Sequence, residues 1–274
     1  DAMNVDFAGA VSDAILGGES ITVSFSRRVA PELVESVVAN GCDNAGVGDG
    51  IDTTCFRVVE GVRQLDIEND ENPDGLLLVD PQLKKVIRKF DVQGKSPHMV
   101  LFGPGGNRAY VSNTNSGTVA SIEIATGKTT LIPTGKYPQG GVLSPDAKSI
   151  YLTNAESNKI AIISTASNKV TGEIPTSIYP NRVTITPDGK TLVYSLGQTG
   201  EAVGFADTAM RKETGTVPLN GQPLSLTLTK DGKYAFSGIQ SQGKIHVIDV
   251  TQRKIIRTIT TPKDAGPDPA LPLE

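Results

Sequence analysis

The stretch that decides the fold runs from Gly135 to Ile174 and reads GKYPQGGVLSPDAKSIYLTNAESNKIAIISTASNKVTGEI. It contains four short runs in which apolar residues recur at alternate positions, and clusters rich in Pro, Asp, Ser and Asn separate them. A period of two is typical of β-strands, and these residues favour tight turns. The stretch therefore predicts a small antiparallel sheet of four strands.

The same pattern recurs on both sides of this stretch at nearly constant spacing. Four copies begin with a loop that ends in proline, at Pro97, Pro138, Pro180 and Pro223, and the intervals are 41, 42 and 43 residues. A period near 42 made of four short strands is typical of propeller blades, whereas helical repeats would show a period of 3.6. The sequence predicts an all-β protein, a β-propeller with four clear four-stranded blades and a partial fifth led by residues 56–93.

Particular motifs connect the repeats to a known family. The segments RAYVSN (108–113), SIYLTN (149–154) and IHVIDVTQRKIIRTI (245–259) resemble the YVTN family of β-propeller repeats, over residues 74–262. The segment YSLGQTGEAVGFAD (194–207) departs from the family pattern, which puts the outer strands of that copy in question. Separately, residues 21–34, ITVSFSRRVAPELV, resemble the opening of bacterial immunoglobulin-like surface domains.

The organisation expected from these patterns has three parts. Residues 1–55 form an irregular N-terminal segment. They are interpreted either as strands that close the propeller or as a fragment of an immunoglobulin-like domain. A short helix is expected near residues 31–40. Residues 56–265 form the propeller, and residues 266–274 form a tail. An unclosed propeller would expose unpaired strand edges. Closure by residues 1–55 is the favoured solution, and a longer propeller or a second copy are the alternatives.

Charge and cysteine content limit the possible partners and compartments. The net charge is −4 without a basic cluster, which argues against nucleic acid, and no apolar run approaches the roughly 18 residues that span a membrane. Cys42 and Cys55 flank a polar, Gly-rich loop, and a disulfide between them would indicate the periplasm, the cell surface or the outside. Two unrelated buried thiols are the alternative.

Ligands of propellers usually meet the mouth of the central channel. The residues that follow the repeated prolines are predicted to point there, with two tyrosines as walls. In this interpretation the ligand-binding residues are His98, Tyr137, Gln139, Tyr179, Asn181, Arg182 and Ser225. Alternatively, these residues only fix the turns and fill a wet channel.

One acidic loop is a candidate for a metal site. Asp70, Asn72 and Asp74 match the pattern D-x-N-x-D-G, with Asp80 close by, and such oxygens suit Ca²⁺. Pro81 stands where a calcium loop of the EF-hand type would place a bidentate Glu. Asn-Pro-Asp-Gly is also a turn signal by itself. Apart from this possible Ca²⁺, no cofactor is predicted.

Few residues of the chain suggest catalysis. There are two histidines, and the sequence has no GxSxG, CxxCH or GxxxxGK[ST] motif. Polar loops at residues 113–117, 154–158, 197–200 and 239–243 predict a polar rim. The sequence favours an exported, non-catalytic propeller that binds proteins or assembles with itself through this rim. The alternative is a propeller enzyme, a lactonase-like hydrolase or a lyase, that uses His98.

Overall fold

The computed structural model describes residues 21–23, 37–39, 56–58, 64–68, 75–80, 85–261 and 267. In this part of the chain the regular structure is β-strand, apart from five single-turn 3-10 helices. The strands form five antiparallel sheets of four strands each and one two-stranded sheet. The protein is therefore all-β, with the blade-like sheets of a β-propeller-type fold.

The sheets are numbered here in chain order. A separate two-stranded sheet pairs β1 (Ile21–Val23) with β2 (Val37–Ala39). Sheet I contains β3 (Phe56–Val58), β4 (Gln64–Glu68), β5 (Gly75–Asp80) and β6 (Lys85–Asp91). Sheet II contains β7 (Pro97–Phe102), β8 (Arg108–Asn113), β9 (Thr118–Glu123) and β10 (Thr129–Pro133). Sheet III contains β11 (Pro138–Leu143), β12 (Ser149–Asn154), β13 (Lys159–Ser164) and β14 (Lys169–Pro175).

Sheet IV contains β15 (Pro180–Ile185), β16 (Thr191–Leu196), β17 (Ala202–Asp207) and β18 (Lys212–Pro218). Sheet V contains β19 (Thr227–Leu228), β20 (Tyr234–Ile239), β21 (Lys244–Asp249) and β22 (Lys254–Thr260). In every sheet the spatial order of the strands follows the chain. The 3-10 helices are Pro104–Gly106, Thr114–Ser116, Ala155–Ser157, Gln198–Gly200 and Gln240–Gln242.

Alternation along the second and third strands places apolar side chains in hydrophobic clusters between neighbouring sheets. In sheet IV, Leu192, Tyr194 and Leu196 pack toward sheet III, while Val193 packs toward sheet V. Sheets I and II share a third cluster that contains Phe90 among others. Most residues of these strands are buried, including the polar residues Ser112, Asn113 and Thr153. The fourth strands are more exposed and carry polar residues, as edge strands do.

The chain divides into two compact units. One comprises residues 1–116 with 120–131, and the other comprises residues 117–119 with 132–274. Sheet I lies in the first unit, and sheets III, IV and V lie in the second.

The four predicted strands of residues 135–174 are confirmed as β11 to β14, and the partial fifth blade is confirmed as sheet I. The outer strands of the divergent copy also form, as β17 and β18. The helix expected near residues 31–40 is wrong, since Val37–Ala39 is a strand paired with Ile21–Val23. Two adjacent valines favour extended backbone there. These two strands pair with each other, so closure of the array by residues 1–55 stays a prediction.

The last proline-led copy departs from the others. Pro97, Pro138 and Pro180 each begin the first strand of a sheet, but β19 begins at Thr227, four residues after Pro223. None of the 3-10 helices in the described ranges has the length and apolar character that a membrane crossing needs.

Candidate functional site

A β-bulge interrupts the first strand of sheets II, III and IV directly after the repeated proline. In sheet II, Pro97 lies opposite Asn113 but Met99 lies opposite Ser112, so His98 is the extra residue. The register shifts in the same way between Pro138 and Gly141. Bulges re-aim side chains and are frequent beside functional sites.

Sheet IV repeats this arrangement. Pro180 lies opposite Leu196 and Val183 lies opposite Tyr194, which leaves Asn181 and Arg182 at the bulge. The residues that the sequence places after the prolines therefore lie where the strands are irregular.

The residue before each of these prolines has a left-handed backbone. The φ angles are 55° at Ser96, 57° at Tyr137 and 55° at Tyr179. A positive φ is uncommon for residues with bulky side chains, and a following proline restricts the backbone further. Such strain persists only where the surrounding structure enforces it, and it is concentrated at functional sites. The two tyrosines are therefore held in position at a cost in stability.

Tyr137 and Tyr179 form a pair in the second unit. Their ring centroids are 6.1 Å apart and the ring planes are inclined by 41°. Both residues are half-buried, and Ile178 beside them is exposed. Gly197 lies close under Tyr179, because a Cβ at this glycine would meet Cδ1 of the ring at 3.3 Å. The pair thus forms a partly exposed aromatic surface next to an exposed aliphatic side chain.

One short turn holds the backbones of both tyrosines. This turn comprises the 3-10 helix Ala155–Ser157 and Asn158, and it is called the hub turn below. On the side of Tyr137, the amide of Ala155 donates to the Tyr137 carbonyl at 2.9 Å, and Ser157 Oγ accepts from the amide of Lys136 at 2.7 Å.

On the other side of the hub turn, Asn158 Oδ1 accepts from the amide of Tyr179 at 2.9 Å. The carbonyl of Asn158 accepts from the amide of Thr176, also at 2.9 Å. The hub turn therefore fixes the two tyrosines relative to each other.

A carboxylate ties the Tyr179 loop to sheet IV. Glu213 accepts hydrogen bonds from the Tyr194 hydroxyl at 2.5 Å, from the Ser177 amide at 2.8 Å and from the Ser177 hydroxyl. Tyr194 is fully buried. Burial and this carboxylate raise the pKa of Tyr194 well above its usual range, so its hydroxyl remains a donor.

The pKa of Tyr179 is raised to about 12, first by burial and then by Tyr137 and the carboxylate of Glu156. The hydroxyl therefore keeps its proton at every physiological pH. It contributes a neutral donor and acceptor, and the ring keeps its full π-face.

The predicted ligand residues of the second unit differ in accessibility. Asn181 and Arg182 are half-buried, and Arg182 Nη1 donates to Asn181 Oδ1 at 2.9 Å. Gln139 is only 5% exposed, and Ser225 is only 3% exposed. Ser225 Oγ accepts from the amide of Gly238 at 3.0 Å, so this side chain stabilises the start of sheet V. A role of these residues in ligand binding stays a prediction.

His98 lies in the first unit, half-buried at its bulge. Cys42, Cys55, Asp70, Asn72 and Asp74 lie outside the described residues, as does the side chain of Asp80. Among the side chains that the structure describes, no three His, Cys, Asp or Glu residues come together as metal ligands would. The disulfide and the calcium site stay predictions.

The expected polar rim needs one correction. Asn113 and Asn154, the first residues of two rim loops, are completely buried. Asn154 Nδ2 donates to the Leu152 carbonyl at 3.1 Å, and Asn113 Nδ2 donates to the Val92 carbonyl at 3.3 Å. Gly94 and Gly135 pack directly on these side chains, with no room for a Cβ above Asn113. The Asn of the repeat motif is therefore buried beneath the loop that precedes the proline, where it contacts the glycine of that loop, and is not part of the surface.

Sequence reasoning missed the strained backbone, the hub turn and the Glu213 tie. A positive φ is usually predicted from a glycine or an asparagine in the sequence, and the residue before proline here is a tyrosine instead. The one available signal was the repeated Tyr-Pro itself, which occurs at residues 137–138 and 179–180.

Comparison with family models and with curated proteins finds no match for the chain. Solved structures are similar in fold. Hydrazine synthase of Kuenenia stuttgartiensis aligns with a TM-score of 0.56 and 19% identity, over 77% of this chain and 86% of that one. A functionally unknown protein from Desulfotomaculum acetoxidans aligns with a TM-score of 0.66 and 13% identity, over 84% of this chain and 76% of that one. At these identities the likeness concerns the fold alone.

Proposed function

We propose that this protein is a non-catalytic binding or scaffold module that recognises a protein partner through the surface around Tyr137 and Tyr179. The observation that carries the proposal is the strained, paired geometry of the two tyrosines. Two residues held in left-handed conformations and fixed by one hub turn reduce stability, and function is the usual reason for such strain.

The composition of this surface suits a protein partner. Tyrosine is enriched at the centres of protein interfaces, because it buries a large ring and orders few torsions on binding. Exposed Ile178 extends the apolar part of the surface, and Gln198 adds a polar edge. Because the hub turn holds the tyrosines in place, a partner would lose little additional conformational freedom on binding.

The finer features of the fold belong to the same proposal. The repeats form a β-propeller of the YVTN type, and residues 1–55 close it. The protein is exported, to the periplasm, the cell surface or the outside, and Cys42 and Cys55 form a disulfide. The period of the prolines and the blade-like sheets support the first part, and the spacing of the cysteines around a polar loop supports the second.

An enzyme that uses His98 remains the second candidate. The observation in its favour is the bulge that contains His98, since bulges occur next to active sites.

A display experiment tests the binding proposal. A library of random dodecapeptides is selected on the immobilised protein and counter-selected on a Tyr137→Ser/Tyr179→Ser variant. The expected result is enrichment of peptides that bind the wild type and not the variant. Enrichment of no peptide, or of peptides that bind both proteins equally, would contradict the proposal. A Tyr234→Ser variant is the matched control, because Tyr234 is an exposed tyrosine of sheet V outside the pair.

A further inference from the structure

We propose that Tyr137, Tyr179 and Glu156 form a site for an organic cation, the guanidinium or alkylammonium group of an arginine or lysine side chain of the partner. This inference rests on the proposed binding function and names the chemistry that the tyrosine surface selects.

The tyrosine rings supply the first part of the site. An aromatic ring has a negative face and attracts a cation within about 6 Å of its centroid. The two rings are inclined by 41° with centroids 6.1 Å apart, so their faces are not stacked flat against each other. Because the Tyr179 hydroxyl keeps its proton at physiological pH, Tyr179 adds no phenolate charge to the site.

Glu156 supplies the negative charge. It is exposed and belongs to the hub turn, whose Asn158 binds the Tyr179 amide and whose Ser157 binds the Lys136 amide. The carboxylate is close enough to the Tyr179 hydroxyl to contribute to its raised pKa. A full charge on the same rigid turn as the two tyrosine anchors suits a ligand that carries the opposite charge.

Two nearby cations are engaged by other partners. The guanidinium of Arg182 donates to Asn181 Oδ1, and the ammonium of Lys159 pairs with Glu173 at 2.6 Å. No lysine or arginine is among the groups that influence the pKa of the Tyr179 hydroxyl, whereas Glu156 is. The Glu156 carboxylate thus places negative charge near the Tyr179 hydroxyl, which favours a cation over an anion.

A guanidinium fits this arrangement better than a compact ammonium. Its planar group stacks on a tyrosine face while its N–H fork reaches a carboxylate. A polypeptide source is favoured over a free amine, because exposed Ile178 lies beside the pair and offers contact to residues that flank an arginine.

Titration followed by NMR tests the inference. The protein is prepared with ¹³C-labelled tyrosine rings, and the signals of Tyr137 and Tyr179 are assigned with Tyr→Phe variants. The probes are N-acetyl-arginine methylamide, its neutral analogue N-acetyl-citrulline methylamide, and the peptide acetyl-Ala-Ala-Arg-Ala-Ala-amide. We expect saturable shifts of these two ring signals with both arginine probes and none with citrulline.

Variants separate the contributions to this site. Glu156→Gln is expected to weaken arginine binding about 3- to 10-fold, and Tyr179→Leu by a similar factor. Glu201→Gln is the control, because Glu201 is an exposed acid that follows the 3-10 helix Gln198–Gly200 and is not among the groups that shift the pKa of Tyr179. Tighter binding of the pentapeptide than of the single residue identifies a polypeptide source, and equal binding identifies a free cation.

The outcomes for the two proposals differ. If tyrosine-dependent peptides are enriched in the display experiment but are neutral or acidic, and arginine gives no shifts, the binding module stands and the cation site is refuted. Equal shifts with arginine and citrulline would also refute the cation site. If no tyrosine-dependent peptide is enriched, the binding proposal itself fails, whatever the arginine titration gives.

Discussion

At the scale of single residues, left-handed backbone occurs at a structural turn as well as at the two tyrosines. Tyr137, Tyr179 and Ala147 all have φ between 55° and 59°. Ala147 lies in the turn between β11 and β12, and the equivalent turn of sheet IV has Gly189, with φ 72°. Replacing alanine by glycine at such a position relieves about 1–2 kcal/mol of left-handed strain, against about 0.5–1 kcal/mol of added entropy in the unfolded chain.

Ala147→Gly is therefore expected to raise the free energy of unfolding by about 0.5–1 kcal/mol, and Gly189→Ala to lower it by about 1 kcal/mol. A Cβ at Gly189 would meet Pro145 at 3.5 Å, an ordinary contact, so the cost there comes from the backbone. Urea unfolding measures both changes. Ala166→Gly, in an exposed turn position without positive φ, is the control and should destabilise the protein. Stabilisation by Ala166→Gly equal to that by Ala147→Gly would contradict this reading of the strain.

His246 gives the protein a pH dependence of stability. It is 7% exposed, and Nδ1 lies 2.9 Å from the Thr258 hydroxyl. Burial has the largest influence on the pKa of His246 and lowers it below the usual value for histidine. A backbone hydrogen bond at Leu219 acts against this shift, and the nearby charge of Lys244 adds to it. The unfolded chain then binds more protons than the folded one below pH 6.5, so stability is complete above that pH and falls as the pH drops toward the folded pKa.

We expect the loss of unfolding free energy between pH 7.5 and pH 5 to be smaller in a His246→Gln variant than in the wild type. Urea unfolding at both pH values measures the difference, and His98→Gln serves as the comparison variant. An identical pH dependence in wild type and His246→Gln would show that His246 titrates as an exposed group.

At the scale of elements, the loops are fixed by contacts that the repeat places at corresponding positions. Arg253, in the turn before β22, donates to the Thr214 carbonyl at 2.6 Å and lies over the Phe205 ring at 5.3 Å. Arg211 occupies the matching turn of sheet IV and approaches Gly172 of β14. These arginines join neighbouring sheets at their outer strands. Glu213 makes a different connection: its carboxylate in β18 accepts hydrogen bonds from Ser177, in the loop that contains Tyr179.

Glu213→Ala is expected to lower the free energy of unfolding by about 1–3 kcal/mol, because the buried Tyr194 hydroxyl loses its acceptor. Glu213→Gln retains an acceptor oxygen and should cost less. Glu201→Ala, which removes an exposed carboxylate from the turn before β17, is the control for urea unfolding. If Glu213→Ala and Glu201→Ala have the same effect, Glu213 does not tie the loop to the sheet.

At the scale of the whole molecule, periodicity determined what could be predicted from the sequence. Alternation and the spacing of four prolines predict the strands of sheets II to IV, since strand faces and turn residues are local properties. The burial of Asn154 and Gln139, the bulges and the left-handed tyrosines were not predicted. They depend on contacts between residues that are not neighbours in the sequence, such as the Tyr179 amide with Asn158 and the Lys136 amide with Ser157. The tyrosines themselves were named as walls of a site, but their pairing by the hub turn appears only in the folded chain.

The central claim is that the tyrosine pair is a binding surface. Its most direct test is the dissociation constant of the most enriched display peptide, measured by calorimetry for the wild type, Tyr179→Ser and Tyr234→Ser. We expect Tyr179→Ser to weaken binding at least about 10-fold, as at the centre of an interface, and Tyr234→Ser to leave it unchanged. Equal dissociation constants for the wild type and Tyr179→Ser would contradict it.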